Sequence, residues 1–480
     1  MAAPDARRKQ VENGILPIMR IAGRDQRWPI AERMAHYDVP GVGVAAMRGG
    51  EIDWAQGYGL REKGRPEPVD ADTVFMGAST SKPVTGFLVM HMVERGVVEL
   101  DVEINRYLKR WQLPQNDFTR AAPVTLRNML NHTAGLTVNG WPVTPRGRPL
   151  PTVFDLLEGR RPPVDNPGPN EFVMPPVRVN QKPGRTRRYS GGGFLLAQMA
   201  IEDLTGKAFD ALADELIFQP LGMTRTTFRS NPLAGRLTGN IASGHGPDSV
   251  PLPGGWLVSP EMGAGGLFTT AADYARFHIG FRNAWLGKPG AVLRQDLAQE
   301  MATRRGDGEF GVGWRVLGEG ATLRVNHGGS NGGYQSETNS YLVSGDGGMV
   351  FTNAVPGLFL FCEVLNGIAD VYDWPGFMPP PKRVVPIPAD QLYKYEGEYR
   401  IVSGVELPLM KIWSEDGELK SLIPGMRAGT RTLFLDDTGR FFNQSGPYET
   451  QIHYGADGRA AELVAYEGSE EILRAVRAPA

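Results

Sequence analysis

Residues 83–95 carry apolar side chains on nearly every face of a helix: Val84, Phe87, Leu88, Val89, Met90, Met92 and Val93, with Pro83 in the first turn and Gly96 at the end. A helix that is apolar all round is stable only when other elements surround it, so the chain has to build layers of structure about this segment. Just before it stands Gly77-Ala78-Ser79-Thr80-Ser81-Lys82. The spacing of Ser79 and Lys82 places them on one face of the first turn. A serine hydroxyl is a weak nucleophile at neutral pH and needs a base within hydrogen-bond reach, and a lysine can supply one when its surroundings are dry. The helix N-terminus adds partial positive charge where an oxyanion would form. The simpler alternative makes Ser79 an N-cap and Lys82 a surface charge. No other serine in the sequence has a lysine three residues on.

The 480 residues are enough for a large core and two or three structural units. Lys and Arg number 51 against 53 Asp and Glu, with no basic stripe, which argues against a nucleic-acid partner. The one cysteine, Cys362, follows the apolar run Leu358-Phe359-Leu360-Phe361 and reads as core. Residues 1–27 are polar and charged without an apolar run, so neither a signal peptide nor a membrane span is expected, and the expected compartment is the cytoplasm. The 7 histidines are scattered and no His-Glu-x-x-His occurs, so neither a metal nor another cofactor is expected.

Along the chain, residues 17–37 have the pattern of an amphipathic helix, followed by two strands over 41–47 and 52–59 that make a hairpin. Thr125 is placed to cap a short helix before His132, which reads as a residue fixing the turn out of that helix. Residues 137–181 are rich in Pro, Gly and Arg around Trp141, and a loop of this length reads as one wall of a substrate site. Tyr189-Ser190-Gly191-Gly192-Gly193 precedes a helix over 194–204 and places a phenol at a turn. Further helices are expected over 209–217 and 271–281, the latter capped by Thr270. Strands over 311–316, 324–330, 340–343 and 349–353 follow, then a closing helix over 359–371. Pro375, Pro379, Pro380, Pro381, Pro386 and Pro388 mark a stiff linker. Beyond it short alternating strands recur at the spacing of a small antiparallel barrel or sandwich.

The order Ser79-x-x-Lys82, Tyr189-Ser190-Gly191, His327-Gly328-Gly329 resembles the penicillin-binding-protein and class C β-lactamase superfamily. It is most similar to the branch holding family VIII carboxylesterases and D-aminopeptidases. His132-Thr133-Ala134-Gly135-Leu136, Pro183-Gly184, Pro220-Leu221-Gly222-Met223 and Gly265-Gly266-Leu267 add to the resemblance, which spans roughly residues 14–375. It implies an α+β fold: an antiparallel sheet flanked by helices, with a mainly helical subdomain. The C-terminal block resembles the lipocalin-like barrel appended to some members. The implied organisation is a catalytic domain over 1–375, a Pro-rich linker over 376–388 and a barrel over 389–480. The resemblance makes Ser79 the nucleophile, Lys82 the group that holds or takes its proton, and Tyr189 the general base for Ser79 and later for water. His327, Gly328 and Gly329 stand where the family has Lys-Thr-Gly on the strand edging the site. The oxyanion hole would be the backbone N–H groups of Ser79 and Ser330. Trp141 and Gly191 are expected to contact substrate.

Two departures bear on the substrate. The β-lactamases carry Tyr-x-Asn, and here the third position is Gly191, without a side chain to hold a substrate amide. His327 in place of lysine leaves little fixed positive charge for a substrate carboxylate. Both favour a neutral small-molecule ester or amide, with carboxylic esters first, D-amino-acid amides second and β-lactams third. An inactive sensor of the same fold is the non-enzyme alternative. Homo-oligomerisation stays open. Gly328-Gly329-Ser330-Asn331-Gly332 also fits the Gly-x-Ser-x-Gly elbow of another hydrolase fold. That elbow requires a helix directly after the serine, whereas Gly332-Gly333-Tyr334 reads as turn and strand.

Overall fold

The structure is a computed structural model that describes residues 3–160, 175–234, 237, 239–404, 407, 409–424, 429–468 and 470–479. It divides into two compact units, one of Met1–Asp5 with Asp38–Phe361 and the other of Ala6–Tyr37 with Cys362–Ala480.

In the first unit, strands β1 (Gly41–Arg48) and β2 (Glu51–Gly59) form the expected hairpin. Strands β5 (Arg315–Leu317), β6 (Arg324–Ser330), β7 (Gln335–Tyr341) and β8 (Gly347–Thr352) form a meander, and β8 pairs with β1. The result is a six-stranded antiparallel sheet of order β2-β1-β8-β7-β6-β5. Its central strands β1 and β8 are buried at nearly every position, as strands covered on both faces must be. A separate pair joins β3 (Phe75–Ala78) to β4 (Leu267–Thr269).

Helix α3 (Ser81–Glu94) follows β3 directly, and the side chains from Ser81 to Met92 are all buried. It packs against α5 (Gly191–Thr205) and α7 (Met262–Gly265), while α8 (Ala271–Trp285) lies on β1, β2 and β8. Between α3 and α5 in sequence is α4 (Leu126–Leu130), where Thr125 and Asn128 form a capping box. Short helix α6 (Phe209–Ala213) continues into a π-helical turn to Phe218. Thr270 caps α8 by accepting from Asp273 N at 3.0 Å.

In the second unit eight antiparallel strands close into a barrel: β9 (Gly397–Ser403), β10 (Leu409–Glu415), β11 (Glu418–Leu422), β12 (Arg431–Leu435), β13 (Phe441–Phe442), β14 (Tyr448–Tyr454), β15 (Ala460–Glu467) and β16 (Glu470–Arg477). Closure removes the unpaired edges that a strand-only domain would otherwise expose. Tyr399, Leu419, Phe441, Leu463 and Ala475 are among the side chains of its core.

Several sequence expectations shift. Residues 17–37 are not one helix: α1 (Pro4–Glu12) precedes them, and only α2 (Ile30–Tyr37) is helical within them. Before α2 the chain is an irregular loop closed by the antiparallel Ile15–Trp28 bridge, and Met19 and Ile21 pack on Phe442. Pro29 precedes the α2 start, where a missing N–H costs nothing. The Pro-rich segment is tied to the barrel: Lys382 pairs with Asp436 at 2.9 Å and Glu449 at 2.5 Å, and Val385 N donates to Leu435 O at 2.8 Å. Residues 340–343 do not form a strand of their own, because β7 runs over Gln335–Tyr341 and turns through Gly345. Cys362 is half-buried, within α9 (Gly357–Val371).

Candidate active site

Strand β3 ends at Ala78 with φ +49, a left-handed conformation that a residue with a Cβ adopts only under constraint. The turn that follows is fixed on every side. Thr80 Oγ1 donates to Gly77 O at 2.9 Å, Ser81 Oγ donates to Ala78 O at 2.6 Å and accepts from Leu267 N at 2.9 Å, and Tyr274 Oη donates to Thr80 O at 2.8 Å. The N-cap of α3 is Thr80, so Ser79 lies one residue outside the helix rather than in its first turn. Its hydroxyl still meets Lys82. Lys82 Nζ lies 3.0 Å from Ser79 Oγ and donates to Ala264 O at 2.7 Å. Lys82 is 2% exposed, while Ser79 is half-buried and opens on the cleft.

Tyr189 lies against the other side of this lysine. Lys82 Nζ is 4.9 Å from the Tyr189 ring centroid and 5.6 Å from that of Phe194. Tyr189 stacks on His132 with centroids 4.2 Å apart and meets Phe310 edge-on at 6.4 Å. His132 has φ +65 at the exit from α4, as expected of a turn-fixing residue, and its Nδ1 accepts from Ser190 N at 3.1 Å. Its contact with Tyr189 was not legible in the sequence, because the two are brought together by folding across the intervening loop. Burial, with the positive charge of Lys82 added, holds the His132 imidazole neutral well below the usual histidine range.

His327 sits on β6 with its ring 6.3 Å from that of Tyr189, and its Nδ1 donates to Gly328 O at 2.7 Å. Burial pushes its pKa down to about 3, with Lys82 acting in the same direction. It is therefore neutral at ordinary pH. The next residues bring β6 against β3. A Cβ added to Gly329 would lie 2.0 Å from Gly77 O, so only glycine allows this approach. Ser330, at the end of β6, has no helix after it, and β7 starts at Gln335.

Ser79, Lys82, Trp141, Gly191 and Ser330 all line one cleft of about 420 Å³. Tyr189, His327, Gly328 and Gly329 are outside that lining and adjoin it through Lys82 and β6. Trp141 Nε1 donates to Leu156 O at 3.3 Å, which fixes the ring as a wall. Gly191 N donates to Asn139 O at 2.8 Å, and a Cβ on Gly191 would lie 2.8 Å from that same oxygen. The absent side chain is thus a packing requirement here. Of the 137–181 loop, residues 139–143 line the cleft, and residues 161–174 lie outside the described residues.

One lining residue carried no signal in the sequence beyond an acidic position ahead of Gly263-Ala264-Gly265-Gly266. Glu261 is 4% exposed and precedes α7, whose Ala264 O holds Lys82. Burial raises its carboxyl to about 7, opposed only in part by the Ser259 hydroxyl, its own backbone N–H and the charge of Lys82. Among the described residues no group of three or more His, Cys, Asp or Glu is placed to hold a metal ion, and no helix is long and apolar enough to cross a membrane.

The sequence profile of the Beta-lactamase family matches residues 30–366, more than two thirds of the chain, and the chain belongs to that family. Penicillin-binding protein 4 of Amycolatopsis lactamdurans is 27% identical over 393 residues, covering 76% of this chain and 96% of its own length. Esterase EstB of Burkholderia gladioli is 30% identical over 195 residues, covering 39% of this chain and 47% of its own. The chain spans less than half the length of some curated relatives it matches. The octameric penicillin-binding protein homologue from Pyrococcus abyssi superimposes with a TM-score of 0.60 at 19% identity, covering 93% of this chain and 98% of its own. The expected fold class, sheet, helices and C-terminal barrel together, is the one observed.

Proposed function

We propose that this protein is a serine hydrolase that cleaves carboxylic esters through an acyl-enzyme on Ser79. The observation that carries the reading is the 3.0 Å contact between Lys82 Nζ and Ser79 Oγ on the wall of a cleft. In this reading the Ser79 hydroxyl adds to the substrate carbonyl and its proton passes to Lys82. The tetrahedral oxyanion is met by the backbone N–H groups of Ser79 and Ser330. Collapse breaks the carbonyl–oxygen bond, and the alkoxide leaves with the proton that Lys82 returns. Water then attacks the acyl-enzyme and gives its proton to Tyr189, which has to act as the phenolate, and that proton goes to Ser79 as the acid departs.

The neutrality of His327 and the bare Gly191 support esters over β-lactams. An ester's alkoxide departs with little help, while an amide nitrogen needs a well-placed acid. Amide hydrolysis is the second reading, since acylation is the same chemistry. The test is a panel of p-nitrophenyl esters, D-amino-acid amides and nitrocefin, run with fluorophosphonate labelling of wild type and Ser79→Ala. Short-chain esters are expected to turn over well and nitrocefin slowly, with labelling lost in Ser79→Ala. Labelling that survives Ser79→Ala refutes the nucleophile. Cephalosporin turnover faster than every ester refutes the substrate.

A further inference from the structure

We infer that Glu261 is a specificity-determining residue of this cleft, which makes it accept acyl groups carrying an ammonium and reject those carrying a carboxylate. This rests on the serine-hydrolase reading for the reaction and goes beyond it in naming the charge of the substrate.

Among the described residues, Lys82 and Glu261 are the two charged side chains in the cleft lining. Lys82 is engaged: its Nζ is held between Ser79 Oγ and Ala264 O. To receive the Ser79 proton it has to be neutral, and the cleft with Lys82 neutral and Glu261 ionised is net negative. With both ionised the two charges cancel, and only where Glu261 is protonated beside a charged Lys82 is there surplus positive charge for a substrate carboxylate. The neighbouring His327 and His132 add none, since burial keeps both neutral. A carboxylate in a cleft with a restricted view of water has strong leverage on a charged ligand, because the field is poorly screened. Glu261 is well placed for this, being buried, next to α7 and on the lining itself. Burial pushes its carboxyl up to about 7, so the charge preference is sought above that value, at pH 8. The other acids on the helices packed against α7 have partners elsewhere: Glu94 of α3 accepts from Arg294 N, Glu202 and Asp203 of α5 bind Arg110, and Asp210 of α6 binds Arg229.

The experiment uses the full chain at pH 8 and p-nitrophenyl esters with acyl chains from propionyl to hexanoyl. At each length the chain ends in methyl, ammonium or carboxylate, and each kcat/KM is divided by the uncatalysed rate. Wild type is expected to rank ammonium above methyl above carboxylate at its preferred length. Glu261→Gln keeps the shape of the side chain and removes the charge. It should lower the ammonium-to-carboxylate ratio by roughly ten- to hundredfold, the loss of one charge-assisted contact. A wild type that prefers carboxylate, or a ratio equal in wild type and Glu261→Gln, overturns the inference. Calorimetric titration of wild type with hexylammonium and with hexanoate needs neither turnover nor a variant. Tighter binding of hexylammonium supports the inference and tighter binding of hexanoate overturns it. Absence of all ester turnover and of Ser79 labelling would count against the hydrolase reading instead, with the charge preference still legible from the titration.

Discussion

The approach of β6 to β3 gives a sharp test of the oxyanion hole. In Gly329→Ala the new Cβ would lie 2.0 Å from Gly77 O and 2.5 Å from Ser336 Oγ. Ordinary van der Waals contact begins at 3.4 Å, so the backbone must open by about 1.4 Å. Gly77 is two residues before Ser79 and Gly329 is one residue before Ser330, so the opening widens the gap between the two proposed donors. Such donors work at about 2.7–3.1 Å from the oxyanion, and losing one costs ~10²–10³ in kcat, about 2.7–4 kcal/mol. Gly328→Ala is the matched control on the same strand. Its Cβ meets Glu337 Oε2 at 2.6 Å, the end of a side chain, and the nearest backbone atom is Ser336 O at 3.4 Å. Its activity loss should stay within about tenfold. The assay is kcat on p-nitrophenyl butyrate per fluorophosphonate-titrated Ser79, with thermal melts of both variants to separate activity from overpacking of ~1–3 kcal/mol. Gly329→Ala within about threefold of wild type, or equal to Gly328→Ala, refutes the oxyanion assignment.

Ser79→Ala, Lys82→Ala and Tyr189→Phe should each lower kcat/KM by ~10³-fold or more, and the Ser79→Ala, Lys82→Ala double variant should be scarcely worse than either single one; a near-wild-type Lys82→Ala sinks the mechanism. His278 is fully buried in α8, its ring nitrogens have no partner among the described residues, and burial lowers its pKa from 6.5 to about 3. Between those two values the unfolded chain binds the proton and the folded chain does not, so stability falls as pH drops from 6.5 toward 3, by ~1.4 kcal/mol per pH unit for this group. His278→Phe should therefore lose less melting temperature on acidification than wild type, and an unchanged acid slope contradicts this. The isolated 389–480 fragment is expected to give a β-type far-UV spectrum, and a strongly helical spectrum would rule out an independent barrel domain.

The sequence by itself determined the parts governed by short-range rules. The all-round apolar helix behind Ser79 is buried as its pattern requires, because a residue's face on a helix is set by spacing alone. Thr125 and Thr270 cap the helices they precede, since a cap needs only its own next three residues. The rhythm of short alternating strands after the prolines is present, and alternation fixes which side chains face the core, while closure into an eight-stranded barrel rather than a sandwich was decided by the fold. Tertiary structure decided the rest. No local pattern states that Tyr189 stacks on His132, that Ala264 O holds Lys82, or that Glu261 shares a cleft with Ser79. Those contacts join residues scores of positions apart and depend on how α3, α5 and α7 pack. The first part of the 17–37 segment failed for the same reason: its spacing suits a helix, but the bridge from Ile15 to Trp28 and the contacts of Met19 and Ile21 with Phe442 hold it as a loop. A weak local preference yields where long-range burial is worth more than the turns it displaces.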